Sequence, residues 1–293
     1  MFVGSSVALI TPMSGDGAID FVAWRRLLDL HLESGTHAVV VGGTTGESTA
    51  LTEDELHALI VAAREQLRGR IKVIVGAGTS STAGTLDRVR AFGSLGIDAV
   101  LVVTPAYVKP TQEGLYRHFE AVAAASPVPV ILYNVPGRTA VDLLPETVAR
   151  LAHLPRIVAL KEAVAGAERV RAVCAAAPTI TVLSGDDPTA CEALLAGARG
   201  VISVTANVAP RAMADLVRFA VAGDSAQARA TDAGLAALHR ALFIEPNPIP
   251  VKWALARLGL ASPTLRLPLT PLVPSHGPVL ESALAAAGLL AAQ

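Results

Sequence analysis

Ile157-Val158-Ala159-Leu160-Lys161-Glu162 is a run of four apolar residues that ends in an amine and a carboxyl. The four apolar residues show no alternation with polar ones. That is the pattern of a strand covered on both faces, as in a parallel sheet. Seven similar runs punctuate the chain, at residues 6–10, 37–41, 71–75, 99–103, 129–132, 180–183 and 200–204. Segments of helical spacing separate them, at 20–34, 52–67, 82–95, 112–125, 145–152, 166–176 and 188–196. Several open on a capping residue or a first-turn proline, such as Thr52 before Glu53-Asp54-Glu55 and Asp187 before Pro188. Eight βα units without a complete dinucleotide fingerprint predict an α/β fold, a (β/α)8 TIM barrel rather than an open sheet. Gly76-Ala77-Gly78 begins such a fingerprint, but Ser81 stands where its third glycine belongs. Beyond Pro210 only helical stretches follow, near 212–221, 226–242, 250–258 and 278–290. The expected organisation is a catalytic barrel over 1–224 and a helical C-terminal extension over 225–293.

Composition narrows the function classes. With 293 residues, 52% of them hydrophobic, the chain can bury a large core. A net charge of −1 from dispersed charges argues against a nucleic-acid or polybasic membrane surface. No apolar stretch approaches the length of about 18 residues that a membrane span needs. Met1-Phe2-Val3-Gly4-Ser5-Ser6 has no basic leader, and the expected location is the cytoplasm. Cys174 and Cys191 are too few for a disulfide framework, and the seven histidines form no ligand pair, so no metal is expected.

The segments after the runs carry the chemistry. In a barrel the C-terminal strand ends meet at one mouth. There the chain places Gly42-Gly43-Thr44-Thr45-Gly46-Glu47, Thr104-Pro105-Ala106-Tyr107, Tyr133-Asn134-Val135-Pro136-Gly137-Arg138, Lys161-Glu162, Ser184-Gly185-Asp186-Asp187 and Ile202-Ser203-Val204. Lys161 is one of four lysines, with Lys72, Lys109 and Lys252. An amine at a buried strand end is what Schiff-base chemistry requires: burial disfavours the ammonium and frees the nucleophile. The alternative is a lysine that snorkels to solvent. Thr44 and Thr45 offer hydroxyls and turn amides to a carboxylate. Tyr107 and Tyr133 can each donate and accept a proton, although a single tyrosine is commonly structural. Arg138 can clamp a carboxylate or lie solvated in its loop. Asp186-Asp187 reads as an acid pair or as helix capping.

These motifs resemble the 4-hydroxy-tetrahydrodipicolinate synthase (dihydrodipicolinate synthase) family, in the class I pyruvate-dependent aldolase and N-acetylneuraminate lyase superfamily. The likeness runs from Val7-Ala8-Leu9-Ile10-Thr11-Pro12 to Arg266-Leu267-Pro268 and includes Tyr133-Asn134-Val135-Pro136-Gly137-Arg138-Thr139 and Glu245-Pro246-Asn247-Pro248. The resemblance implies a lyase of diaminopimelate and lysine biosynthesis that condenses pyruvate with L-aspartate 4-semialdehyde. It implies an imine on Lys161, Tyr133 as central acid and base, a proton relay through Thr45 and Tyr107, and Thr44 positioning that relay. Thr45 and the backbone near Ile202 would hold pyruvate, Arg138 the carboxylate of the aldehyde, and Gly185 belongs to the substrate-binding set. No cofactor or metal is implied beyond the covalent pyruvate imine. Because the residue matching Tyr107 reaches into a neighbouring subunit, a dimer is the minimum and a homotetramer the expected assembly.

The family's lysine-feedback pocket maps here onto Thr49, Glu53, Leu56, Ser80, Gly84 and Ala106. Gly84 removes a carboxylate and Ala106 an aromatic ring, so inhibition by lysine is expected to be weak or absent; Glu53 is the one candidate substitute charge. Two other readings compete: a pyruvate-dependent sugar-acid aldolase, which Arg138 argues against, and a catalytically silent barrel that binds a keto acid.

Overall fold

The computed structural model describes residues 2–291, so Met1, Ala292 and Gln293, the ends of the two expected segments, lie outside the described residues. Eight parallel strands follow one another around a closed barrel, and β8 returns to β1. β1 (Gly4–Ala8) leads to α1 (Phe21–Glu33), β2 (Ala38–Val41) to α2 (Glu53–Leu67), and β3 (Lys72–Gly76) to α3 (Thr82–Gly93). β4 (Ala99–Val103) leads to α4 (Gln112–Ala125), and β5 (Val130–Asn134) to the short α5 (Pro136–Thr139) and α6 (Pro145–Leu151). β6 (Ile157–Glu162) leads to α7 (Ala167–Ala176), β7 (Thr181–Ser184) to α8 (Ala190–Leu195), and β8 (Gly200–Ser203) to α9 (Pro210–Val221). The extension holds α10 (Ser225–Ala241), α11 (Ile249–Arg257) and α12 (Gly277–Ala286); α10 packs on both α9 and α12.

Local chemistry sets these boundaries. Thr52 accepts from Glu55 N while the Glu55 carboxylate accepts from Thr52 N, a reciprocal cap at the start of α2. Asp20 caps α1 by accepting from Val22 N and Ala23 N, without a reciprocal bond, and prolines stand in the first turn of α5, α6 and α9. Asp187 does not cap the helix that follows it. Its carboxylate accepts from Val204 N and Thr205 N, both at 2.8 Å, and the segment expected as a helix over 188–196 opens with a 3-10 turn, Asp187–Thr189.

Side chains along each strand alternate between two apolar destinations. Val39, Val41, Val73, Val75, Leu132 and Leu160 face the helices, whereas Ala38, Val40, Ile74, Leu101, Ile131 and Ala159 fill the barrel. Both faces are therefore hydrophobic, which is why the sequence shows no alternation. Each fully buried valine or leucine contributes about 1.5–3 kcal/mol. The barrel closes at a glycine seam: Gly4 pairs with Gly200, and a Cβ on Gly200 would lie 2.3 Å from the Gly4 carbonyl oxygen.

β5 and β6 extend beyond the apolar runs, through Tyr133-Asn134 and Lys161-Glu162. Val130 pairs with Ile157 but Ile131 pairs with Ala159, so Val158 is a bulge in β6. The extra residue brings Tyr133 level with Lys161 and Asn134 level with Glu162.

Candidate active site

The mouth of the barrel holds a cavity of about 140 Å³, lined by Lys161, Tyr133, Thr44, Thr45, Arg138 and Gly185 among others. It is small beside the roughly 300–1,000 Å³ of drug-sized pockets. Apolar walls come from Ala8, Val40, Leu101, Val135, Val204 and Phe243.

Lys161 is a strand residue whose parity turns it inward. It is buried, and its Nζ lies 4.4 Å from the centroid of the Tyr133 ring. Lys252, the other buried lysine, is ion-paired with Glu47. Lys161 forms no ion pair among the described residues. Its stem depends on Gly185, where a Cβ would lie 2.7 Å from Lys161 Cε and 3.0 Å from Cγ.

Glu162, next in the strand, points to the other side of the sheet. It accepts from Val164 N at 2.8 Å and from Asn134 Nδ2 at 3.1 Å, and Asn134 Nδ2 also donates to Asp142 Oδ1 at 2.7 Å. Arg169 closes this network by donating to Asp142. Burial pushes the Glu162 carboxyl up to about 7, against the opposing pull of Val164 N, Asn134 and Arg169.

The turn after β2 is held by its own backbone. Gly46 N donates to Gly43 O at 3.1 Å, and Glu47 N to Thr44 O at 3.1 Å. The amides of Thr44 and Thr45 donate to no acceptor among the described residues, which leaves two N–H groups for an anion. Thr45 is buried, and its Oγ1 accepts from Asn247 Nδ2 at 2.9 Å. That bond occupies an acceptor position, leaving the Thr45 proton free for donation. Arg138 lies exposed at the rim, where its Nη2 donates to Asn247 O at 3.2 Å.

Tyr107 and Ile202 stand outside this group. Tyr107 is 90% exposed with φ of 74°, and it does not line the cavity of its own chain. Ile202 belongs to the interior layer beneath, and Val204, two residues on, forms the wall. Asp186 lines the cavity and accepts from Thr189 Oγ1 at 2.6 Å, whereas Asp187 is spent on the turn after β8, so the two aspartates are not an acid pair.

Asn247 and Phe243 line the cavity without having been singled out from the sequence as site residues. The prolines on either side of Asn247 signalled a constrained turn, but its partners lie more than a hundred residues away. Among the described residues no group of three His, Cys, Asp or Glu is arranged to hold a metal ion, and no helix is long and apolar enough to cross a membrane.

Comparison with known proteins agrees with this geometry. Residues 1–287 match the model of the dihydrodipicolinate synthetase family. The chain is 52% identical to 4-hydroxy-tetrahydrodipicolinate synthase of Methylococcus capsulatus, over 99% of this chain and 100% of that one. It is 53% identical to the corresponding synthase of Alkalilimnicola ehrlichii over the same shares. The crystal structure of chloride-inhibited dihydrodipicolinate synthase from Acinetobacter baumannii, complexed with pyruvate, superposes with a TM-score of 0.98. That pair shares 46% identity and covers 99% of this chain and 100% of the other. A dihydrodipicolinate synthase variant described as the first monomeric one superposes with a TM-score of 0.96 at 42% identity, over 99% of this chain and 98% of that one. Matched along almost its whole length in sequence and in fold, the chain belongs to the dihydrodipicolinate synthetase family.

Proposed function

We propose that the chain condenses pyruvate with L-aspartate 4-semialdehyde through an imine on Lys161, giving 4-hydroxy-tetrahydrodipicolinate. Family membership makes it a lyase of the 4-hydroxy-tetrahydrodipicolinate synthase type. The observation that carries the route is the buried amine of Lys161, without an ion pair among the described residues, beside the Tyr133 ring in a cavity shared with Thr44 and Thr45.

The neutral amine attacks the keto carbon, and the carbinolamine loses water to become an imine. Loss of a methyl proton gives an enamine, whose carbon attacks the aldehyde. The amino group of the second substrate then adds to the imine carbon, closes the ring and releases Lys161. Each stage moves protons, and Tyr133 is the acid and base within reach. Thr45, whose proton the Asn247 bond leaves free, passes it on, and Thr44 positions the relay. The free amides of the turn and the backbone near Ile202 hold the pyruvate carboxylate, Gly185 leaves room beside the lysine, and Arg138 takes the carboxylate of the aldehyde. The protonated imine is the electron sink, so no cofactor enters the scheme.

Tyr107 completes the relay from a second subunit. Its exposed, left-handed position away from its own cavity supports this reading, with a dimer as the minimum unit. The resemblance to the family extends the proposal to a homotetramer in the cytoplasm.

Inhibition by lysine is weak or absent in this proposal. Glu53, the candidate substitute charge, is already paired with Arg88, whose Nε donates to Glu53 Oε1 at 2.9 Å. Leu56 is buried against Gly42 and offers no polar contact.

Borohydride reduction in the presence of pyruvate, mass mapping of Lys161 and turnover with aspartate semialdehyde test the scheme together. An adduct on Lys161 with turnover is the expected result. An adduct without turnover redirects the chain to a sugar-acid aldolase, and no adduct leaves only a silent keto-acid binder.

A further inference from the structure

Beneath the Thr44-Thr45 turn lies a charge pair that the scheme above does not use. Lys252, in the first turns of α11, is fully buried, and its Nζ donates to Glu47 Oε1 at 2.6 Å. Glu47 closes the turn with φ of 53°, a left-handed conformation unfavourable for a residue with a side chain. Both carboxylate oxygens are tied down, since Oε2 accepts from Arg266 N at 3.1 Å. Burying two charges costs more than filling the same space with apolar groups, and the best-attested return on that cost is a specified geometry.

The geometry specified here is that of the turn. Asn247 and Lys252 lie within one short segment of the C-terminal extension, and they reach Thr45 and Glu47 respectively. One strap thus grips the turn at two residues, on either side of Gly46. We propose that Glu47 and Lys252 are positioning residues for the condensation: their ion pair fixes the end of the turn, and through it the Thr45 hydroxyl and the free amides of Thr44 and Thr45. The proposal rests on the reading of those groups as the holders of pyruvate and the carriers of its protons.

A double replacement, Glu47→Gln with Lys252→Met, removes both charges at nearly constant volume and leaves no unpaired ion. The expected variant melts within a few degrees of wild type and still yields the reducible pyruvate adduct. Its kcat falls at least tenfold, by roughly 1.4 kcal/mol of barrel-mouth positioning. A structural tie acting independently of Thr45 would multiply with Thr45→Val, whereas a positioning device acting through it is non-additive. Adding the pair replacement to Thr45→Val is therefore expected to cost less than a further twofold in kcat, read at saturating pyruvate so that the amides' hold on its carboxylate does not enter. Wild-type kcat in the folded double variant, or losses that multiply, overturns the proposal. If the double variant does not fold, Glu47→Asp carries the same cycle, because it keeps both charges of the pair and only shortens the carboxylate's reach to Lys252. Trapping on the wild-type chain separates the two levels. No adduct there removes the functional reading and this proposal with it; an adduct there with full turnover in the variant removes the proposal alone.

Discussion

Tyr133 and Lys161 are register partners on β5 and β6, and the amine lies 4.4 Å from the centre of the ring. The bulge at Val158 puts them level, because without the extra residue the inward positions of β6 would be displaced relative to β5. On the opposite face the next pair, Asn134 and Glu162, is hydrogen-bonded across the same two strands. The strand ends are thus clamped from outside while Tyr133 and Lys161 face the cavity.

Among the described glycines, Gly185 is the one where an added methyl group meets the lysine stem. In Gly185→Ala the new Cβ would fall 2.7 Å from Lys161 Cε, closer than carbon atoms approach, so the stem must move. The expected outcome is a folded protein with kcat at least tenfold lower and slower borohydride trapping by pyruvate. Trapping at the wild-type rate would mean that the stem has slack and that Gly185 serves another purpose.

The barrel was legible because parallel strands covered on both faces leave unbroken apolar runs, and because caps such as Thr52 act locally. Lys161, Tyr133, Thr44, Thr45 and Arg138 were legible as a group because barrel topology sends every strand end to one mouth. What was not legible depends on partners that only the closed fold supplies. The bulge at Val158 exists relative to β5, not within β6. Asn247 meets Thr45 across 202 residues, and Lys252 meets Glu47 across 205. Asp187 looked like a helix cap because its carboxylate's actual donors, Val204 and Thr205, lie a strand away.

Two buried histidines are expected to make the fold acid-sensitive. His31 and His118 each bond a threonine hydroxyl through Nδ1 at 2.9 Å, Thr36 and Thr82 respectively, and Nε2 of each has no partner among the described residues. Burial pushes both from 6.5 down to about 4. Their neutral forms are favoured in the folded state, so the stability they contribute is complete above pH 6.5 and is lost as the pH falls towards 4. Each contributes up to about 3 kcal/mol over that window. Urea unfolding at pH 7 and at pH 5 is expected to show the lower stability at pH 5; equal midpoints would contradict the buried neutral assignment.

Glu162 acts in the opposite direction. Its carboxyl is raised from 4.5 to about 7, so between those values the folded state keeps a proton that the unfolded chain releases. Near pH 5.5 unfolding therefore takes up about two protons at the histidines and releases about one at Glu162. The net uptake of about one proton gives a slope of roughly 1.4 kcal/mol per pH unit. Glu162→Gln abolishes the release, and the slope between pH 5 and 6.5 is expected to double, with the variant gaining on wild type as the pH rises towards 8. Parallel stability curves for the two proteins would show that Glu162 is ionised throughout.

In the proposed scheme Arg138 and Lys161 serve different substrates. Arg138 lies at the rim, held by the Asn247 carbonyl at 3.2 Å, whereas Lys161 is buried beside Tyr133. A guanidinium that serves only the aldehyde's carboxylate leaves imine formation untouched. Arg138→Lys keeps the charge but loses the planar fork, so it is not conservative at a bidentate site. The expected variant traps pyruvate on Lys161 at the wild-type rate while its KM for aspartate semialdehyde rises at least tenfold. A parallel loss of pyruvate trapping would place Arg138 on the first substrate instead.

Free lysine is expected to leave turnover unchanged within twofold at millimolar concentration. Inhibition requires a carboxylate for the effector's ammonium and a surface for its stem. Gly84 and Ala106 supply neither, and Glu53 is committed to Arg88. The pair is partly exposed, with side-chain exposures of 22% for Arg88 and 59% for Glu53, so it is worth at most about 1 kcal/mol. That is weak enough for an effector to displace, which makes Arg88→Ala informative. If Glu53 is a latent binding charge, freeing it produces inhibition that wild type lacks. If the missing carboxylate and ring are what matter, both proteins stay insensitive, and that is the expected result. Strong inhibition of the wild-type chain would show that Glu53 leaves Arg88 for the effector and that the feedback pocket survives in altered form.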